Sequence, residues 1–265
     1  MNIQLLTHCV VNEDKFLIFE FSQSGIAQLV KELPAEYRKC YVTDQDLLDR
    51  VSRFKRSYTD ILREAYVPDD PKIKSAEFAE ILSYFLVQEH YRPEYVLTGP
   101  KKWRWKEDRN QAVQKTDVIL FARKGNGASE DDLLVAAEVK AKATKKKSYD
   151  PIHDAAKGAH TDSTRRLALT LTWLKSQYVK RNNPKAFEYV ERFSNPVEHG
   201  PYRKHFNAVA VVDEQLVRGE LNRGRDLTAY TFSDPFRIIV VSVPSLKPVY
   251  ESVYEQIPVS GGDIC

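Results

Sequence analysis

The sequence predicts an α/β fold, a mixed central sheet flanked by helices, with an α+β extension at the N-terminus. Three observations carry that reading. Two apolar runs, Val118-Ile119-Leu120-Phe121 and Leu133 to Ala137, have strand composition and are joined by a polar connection containing Gly125-Asn126-Gly127. A long stretch after them places Leu167, Leu171 and Leu174 at helical spacing. Upstream, Pro68-Asp69-Asp70-Pro71 forbids helix continuation and divides the chain into residues 1–70 and 71–265.

The elements follow in order. Leu5 to Val11 and Phe16 to Phe21 read as strands; Gly25 to Leu33 and Asp44 to Tyr66 read as helices, with Asp44 placed to cap the second. Beyond the proline break, Ser75 can cap a helix that runs to Tyr91. Lys102 to Trp105, Thr116 to Arg123 and Leu133 to Lys140 read as strands by alternation and β-branched content. Asp154 to Arg181 reads as one long amphipathic helix on the sheet, and Phe206 to Val212 and Phe236 to Val243 supply further apolar strands.

Composition bounds the function classes. With 42% hydrophobic and 29% charged residues, the 265-residue chain has the makeup of a globular protein, which excludes a disordered or fibrous one. A net charge of +3 is too small to imply nucleic acid, yet 13 Lys and Arg against 7 Asp and Glu fall between Lys101 and Lys147, so positive charge gathers in one region. Cys9, Cys40 and Cys265 are scattered and odd in number, which argues against a disulfide framework or zinc cluster and for a reducing, cytoplasmic compartment. No segment approaches the roughly 20 apolar residues needed to cross a bilayer, so no membrane association is expected. No Lys-Ser/Thr follows the glycines at 125 and 127, so ATP binding is not expected. His90, His153, His160, His199 and His205 share no ligand spacing.

The chemistry concentrates in Glu138-Val139-Lys140. Strand side chains alternate, so Glu138 and Lys140 point to one face while Val135, Ala137 and Val139 point to the other. Asp117 heads the preceding strand. If a hairpin joins the two, Asp117 and Glu138 lie across from each other and can share one cation. Oxygen ligands suit Mg²⁺ or Mn²⁺, held by Asp117 and Glu138 with the Val139 carbonyl, and such a cation polarises a phosphodiester and activates water. Lys140 would orient that water and offset developing negative charge. The alternative for Glu138 and Lys140 is a surface ion pair, and for Asp117 a turn residue.

A wheel of about 100° per residue on the helix from Ser75 gives the apolar stripe Phe78, Ile81, Leu82, Phe85 and Leu86. It sets Glu77 beside Ile81 and Glu80 on the opposite side. Two readings of Glu77 stay open: a third catalytic carboxylate at the metal, and a solvated first-turn acid that stabilises the helix. Lys102, Arg104 and Lys106, alternating with Trp103 and Trp105, are candidates to track DNA phosphates, as are Lys142, Lys145, Lys146 and Lys147 beyond the active strand. Arg109 is a further candidate for DNA binding.

A glutamate-bearing helix, then Asp117, then Glu138-x-Lys140 resembles the PD-(D/E)XK nuclease superfamily over Ser75 to Val212, although Thr116 stands where that family often has Pro. The resemblance implies a restriction-endonuclease-like core over residues 71–265 and Mg²⁺-dependent hydrolysis of DNA. The run Ala76-Glu77-Phe78-Ala79-Glu80-Ile81-Leu82, with Asp108-Arg109-Asn110 and Asp117, more specifically resembles the HamA family, nuclease subunits of the Hachiman antiphage defence system. That likeness implies a superfamily 2 helicase, HamB, as partner, and makes residues 1–70 a candidate partner-binding region. The competing readings are a stand-alone restriction or repair nuclease, and a nuclease-fold module that binds DNA or a partner without turnover. The presence of Asp117, Glu138 and Lys140 together favours activity.

Overall fold

The computed structural model describes residues 4–260. Leu5–His8 is a 3-10 turn, so the first strand, β1 (Cys9–Glu13), starts later than the apolar run suggests; it pairs antiparallel with β2 (Leu17–Phe21). Helix α1 (Gln23–Tyr41) follows, its first turn capped by Ser22 Oγ on the Gly25 amide at 3.0 Å. Thr43, not Asp44, caps α2 (Asp44–Phe54). The single helix expected from Asp44 to Tyr66 is broken where Lys55 turns to φ 51°, after which α3 (Tyr58–Ile61) runs into a π-turn over Leu62–Tyr66.

The proline break begins the next helix. In α4 (Pro71–Tyr91), Asp70 accepts from the Lys72 amide at 2.7 Å and Pro71 takes the first helical position, where its missing N–H leaves no bond unmade. Ser75 therefore lies inside the helix. Lys102–Trp105 is a 3-10 helix rather than a strand. The charge–aromatic alternation there does not separate two faces, since Lys102 and Trp103 are both buried.

Strands β3 (Val118–Ala122) and β4 (Leu133–Lys142) form the expected antiparallel hairpin, with Val118 opposite Ala137. The helix expected from Asp154 to Arg181 is present without a break over 151–180: α5 (Pro151–Thr161) passes through a π-turn over Asp162–Arg166 into α6 (Leu167–Lys180). The chain continues through α7 (Pro184–Ser194), α8 (Pro196–His199), β5 (Arg203–Asp213), α9 (Glu214–Leu221), β6 (Phe236–Val243) and α10 (Leu246–Gln256).

Among the described residues the six strands form one mixed sheet, ordered β1-β2-β6-β5-β4-β3, in which β2, β6, β5 and β4 run parallel. Helices cover both faces, as an α/β sheet requires. Val135, Ala137 and Val139 pack into the core with residues of α1, α4 and α10, while Leu134 and Ala136 meet Leu171 of α6 and Phe193 of α7 on the other side. Glu138 and Lys140 thus belong to the α5–α6 side, where strand alternation puts them. Residues either side of Pro68–Pro71 share this architecture: β2 pairs with β6, and Leu29 and Tyr37 join the same core cluster as Phe78 and Val241. No helix among the described residues is long and apolar enough to cross a membrane.

Candidate active site

Asp117 stands one residue before β3, so the register that sets Val118 opposite Ala137 sets it opposite Glu138. Directly opposed residues share a face of the sheet and their Cβ atoms lie about 5 Å apart. The Asp117 carboxylate leans onto β4 and accepts from the Val139 amide at 2.9 Å. Asp117, Val139 and Lys140 line a cleft of about 850 Å³ together with Glu80 and Arg166.

Glu138 is buried, 5% exposed, just behind the cleft-lining Lys140 and Arg166 that it pairs with. Its Oε1 accepts from Lys140 Nζ and its Oε2 from Arg166 Nη2. Helix α5 crosses so close over it that a Cβ at Gly158 would fall 2.4 Å from the Glu138 Cδ; glycine is what lets the helix and the carboxylate coexist. Burial first, and then the charge of Asp117, pushes the Glu138 carboxyl up to about 7, with Lys140 and Arg166 pulling the other way. For Lys140, burial opposes the ammonium but Asp117 and Glu138 outweigh it, and its pKa rises.

The structure separates the two glutamates of α4, of which Glu77 is the sequence candidate for the cleft. Glu77 is buried away from the cleft, accepting from Tyr41 Oη at 2.8 Å and from Lys106 Nζ at 2.6 Å. Glu80 lines the cleft instead, with Oε2 3.1 Å from Lys102 Nζ and accepting from Trp103 Nε1 at 3.1 Å. The wheel sorts the two by burial as observed, but the cleft opens beside the exposed Lys72 and Ala76 of α4 and not beside its apolar stripe, so the acid on the apolar side is the one kept from it. Glu80 is pushed up to about 8, by burial first, with Asp117 and Glu77 adding and Lys102 opposing.

Most of the basic residues expected to track phosphates have internal partners. Lys102 Nζ sits between Glu80 and Asp117 Oδ1, 3.8 Å from the latter, and donates to the Thr116 carbonyl at 3.3 Å. Arg104 donates to the Lys39 carbonyl, Lys106 to Glu77, and Arg109 to the Val67 carbonyl and Asp69. Lys142 is buried and donates to Glu220 at 2.7 Å and to the Tyr149 carbonyl at 2.6 Å. Lys145, Lys146 and Lys147 are exposed; Lys146 reaches the Asp117 cleft, and all three line an adjoining cleft of about 870 Å³ with Arg223 and Lys247. The run at 145–147 is therefore the part of the basic set open to solvent beside the site.

Sequence reasoning missed Glu80, Gly158, Lys102 as an internal counter-charge, and Arg166. The signal for Glu80 was its spacing of three from Glu77, which brings both onto neighbouring helix positions. Arg166 gave no signal, because the π-turn that aims it has no sequence signature comparable to a cap or turn.

The cleft acids are not a closed three-ligand cage. Among the described residues, the grouping whose metal-type ligand atoms all lie within 4.8 Å of one another is Glu191, Glu198 and His199, at the far end of α7 and α8, where Glu191 is already paired with Lys175. In the cleft, Lys102 lies between Glu80 and Asp117, and Lys140 and Arg166 embrace Glu138. Such an arrangement can hold a hard cation through two carboxylates with water completing the shell, as Mg²⁺ prefers.

No curated protein matches the chain. A sequence model of the HamA family matches residues 2–257 of the 265, a span that takes in β1 through α10 and every residue of the cleft. The chain belongs to the HamA family, that of the Hachiman defence system.

Proposed function

We propose that the protein is a metal-dependent deoxyribonuclease, the effector subunit of a Hachiman complex whose partner is a superfamily 2 helicase, HamB. The observation that carries the reading is the opposition of Asp117 and Glu138 across the β3–β4 hairpin, with Lys140 on the same face of β4 and lining the same cleft.

The donor set fits Mg²⁺ or Mn²⁺: Asp117, Glu138 and the Val139 carbonyl are all hard oxygen donors. Burial first, and then the charge of Asp117, penalise the ionised form of Glu138, a penalty that a bound cation would offset. Bound there, the cation supplies Lewis-acid polarisation of the phosphodiester and brings water toward ionisation at neutral pH.

The chain's own residues do the rest. Asp117 is fixed by the Val139 amide and Glu138 by Lys140, so neither carboxylate must be ordered when substrate arrives. Lys140, its side chain 32% exposed, presents its ammonium to the cleft, where it orients the attacking water and offsets charge on the phosphorane-like transition state. Lys145, Lys146 and Lys147 flank the cleft as phosphate-backbone contacts, the sequence-independent part of DNA affinity. For the helicase, the surface of residues 1–70 that offers itself is the α2–α3 side, where Phe54 is 55% exposed in a groove with Arg50, Arg53 and Tyr66.

The test incubates the chain, alone and with the candidate helicase, on linear and circular DNA with Mg²⁺ or EDTA, with and without ATP. Mg²⁺-dependent cutting that disappears in Glu138→Ala and Lys140→Ala supports the assignment; undiminished cutting by the purified double variant overturns it.

A further inference from the structure

The π-turn over Asp162–Arg166 inserts an extra residue between α5 and α6, a bulge of a kind frequent at functional sites. What it aims is Arg166. The Nε donates to Asp162 Oδ1 at 2.6 Å, and Nη2 donates to both Glu138 Oε2 and the Gly158 carbonyl, the latter at 3.1 Å. Asp162 in turn accepts from Thr116 Oγ1 at 2.8 Å, which ties the arginine to the residue just before Asp117.

A guanidinium carries five N–H donors in a rigid fork. Three are used by Asp162, Glu138 and Gly158, and among the described residues Nη1 has no partner. Arg166 nevertheless lines the cleft, with 27% of its side chain exposed. A guanidinium held rigidly on one edge and open on the other is suited to a tetrahedral oxyanion, whose oxygens accept from that open edge without further ordering.

We propose that Arg166 is a further catalytic residue of this site, binding a non-bridging oxygen of the scissile phosphodiester through Nη1 while its Nη2 holds Glu138 in place. The proposal rests on the nuclease reading. It makes Arg166 the link between substrate and the acid of the E-x-K strand: phosphate binding and carboxylate positioning use two edges of one group. It also accounts for Gly158, whose missing side chain leaves room for Glu138 while its carbonyl takes the second Nη2 hydrogen.

The test uses the full-length chain, as wild type, Arg166→Gln, Arg166→Lys and Glu138→Gln, titrated against fluorescently labelled linear duplex DNA in EDTA at several salt concentrations, followed by single-turnover cleavage in Mg²⁺ with the helicase present. Loss of one phosphate contact lowers the slope of log affinity against log salt by about 0.9. Arg166→Gln is expected to show that drop; Arg166→Lys is expected to restore the slope, because the charge remains, yet to cleave at least about 10-fold more slowly, because the fork is gone. Should Arg166→Gln fail to fold by circular dichroism, the Lys variant decides by its cleavage rate. Unchanged slope and affinity in folded Arg166→Gln, or wild-type cleavage by Arg166→Lys, overturns the proposal. A wild-type chain that neither binds nor cuts DNA, or a fully active Glu138→Gln, defeats the nuclease reading itself, an outcome distinct from failure at Arg166 alone.

Discussion

Asp117 accepts a hydrogen bond from the Val139 backbone at 2.9 Å, so its carboxylate is anchored to the middle residue of the E-x-K strand, between Glu138 and Lys140. The bond needs only an acceptor oxygen, while the proposed cation needs a negative charge. Asp117→Asn separates the two: the amide oxygen still accepts from Val139, and the charge is gone. Stability is expected to change by on the order of 1 kcal/mol, or about 3 °C in melting temperature, while cleavage falls at least about 10²-fold. Calorimetry and a DNA cleavage assay on one preparation read both, and wild-type cleavage by the folded variant would remove Asp117 from the chemistry.

The reach of the sequence can be judged from these residues. Asp117, Glu138 and Lys140 were legible because strand alternation has period two and the hairpin between them is short, so position along the chain fixes both face and register. Glu80 is not legible because a wheel shows the faces of α4 but not which of them the cleft meets, and the cleft meets the face of Lys72 and Ala76 rather than the apolar stripe. Lys102 read as a strand cation, but the 3-10 turn around it folds its ammonium inward to Glu80. The join between β2 and β6 was beyond reach, since a parallel pair formed by residues more than 200 positions apart leaves no local trace.

Gly158→Ala is a small change with a specific consequence. The new Cβ would lie 2.4 Å from Glu138 Cγ and Cδ and 2.6 Å from Oε1. Glu138 is held by Lys140 and Arg166, so either the carboxylate leaves its partners or α5 lifts. Overpacking of this kind costs about 1–3 kcal/mol, and cleavage is expected to drop sharply as Glu138 is displaced. Gly219→Ala in α9 meets nothing within 4 Å and serves as control: it is expected to be stabilising by up to about 1 kcal/mol with cleavage unchanged. Equal behaviour of the two variants would show that contact between α5 and Glu138 is immaterial.

The two helix glutamates are expected to separate by phenotype. Glu77→Gln leaves the Lys106 ammonium, 5% exposed, without its anion, so the cost is to stability, on the order of 3 kcal/mol, and cleavage per folded molecule is retained. Glu80→Gln removes a cleft carboxylate beside Asp117 and Lys102 and is expected to reduce cleavage about 10-fold or more, its effect on melting being the smaller. Denaturation and rate measurements on the pair check this, and a dead Glu77→Gln that folds normally would return the third-acid role to Glu77.

The raised carboxyls make stability depend on pH in a definite direction. Glu138 at about 7 and Glu80 at about 8 stand well above the unfolded value of about 4.3, chiefly because burial penalises their charged forms. Between the unfolded and folded values the native state binds more protons than the unfolded chain, so stability is greatest at the acid end and declines as pH rises through the window. His90 and His205 act oppositely: burial lowers both, so the stability they contribute is gained as pH rises to about 6.5 and is complete above it. Asp132 and Asp150, both lowered, act only at pH values at or below the ordinary Asp value of about 4. The window from about pH 6.5 to 8 therefore lies above the histidine and aspartate effects and takes in both cleft acids; Glu77 and Asp162, also raised chiefly by burial, act in the same direction, so the Glu80 share is read from its variant. In EDTA the melting temperature is expected to fall across it, and Glu80→Gln is expected to flatten the upper part. Mg²⁺ competes with these protons, so the stabilisation it confers should grow over the same interval, and cleavage should rise with it. A melting temperature in EDTA that holds level or climbs between pH 6.5 and 8, with an Mg²⁺ increment equal at both ends, would contradict a strained pair of carboxylates awaiting a cation.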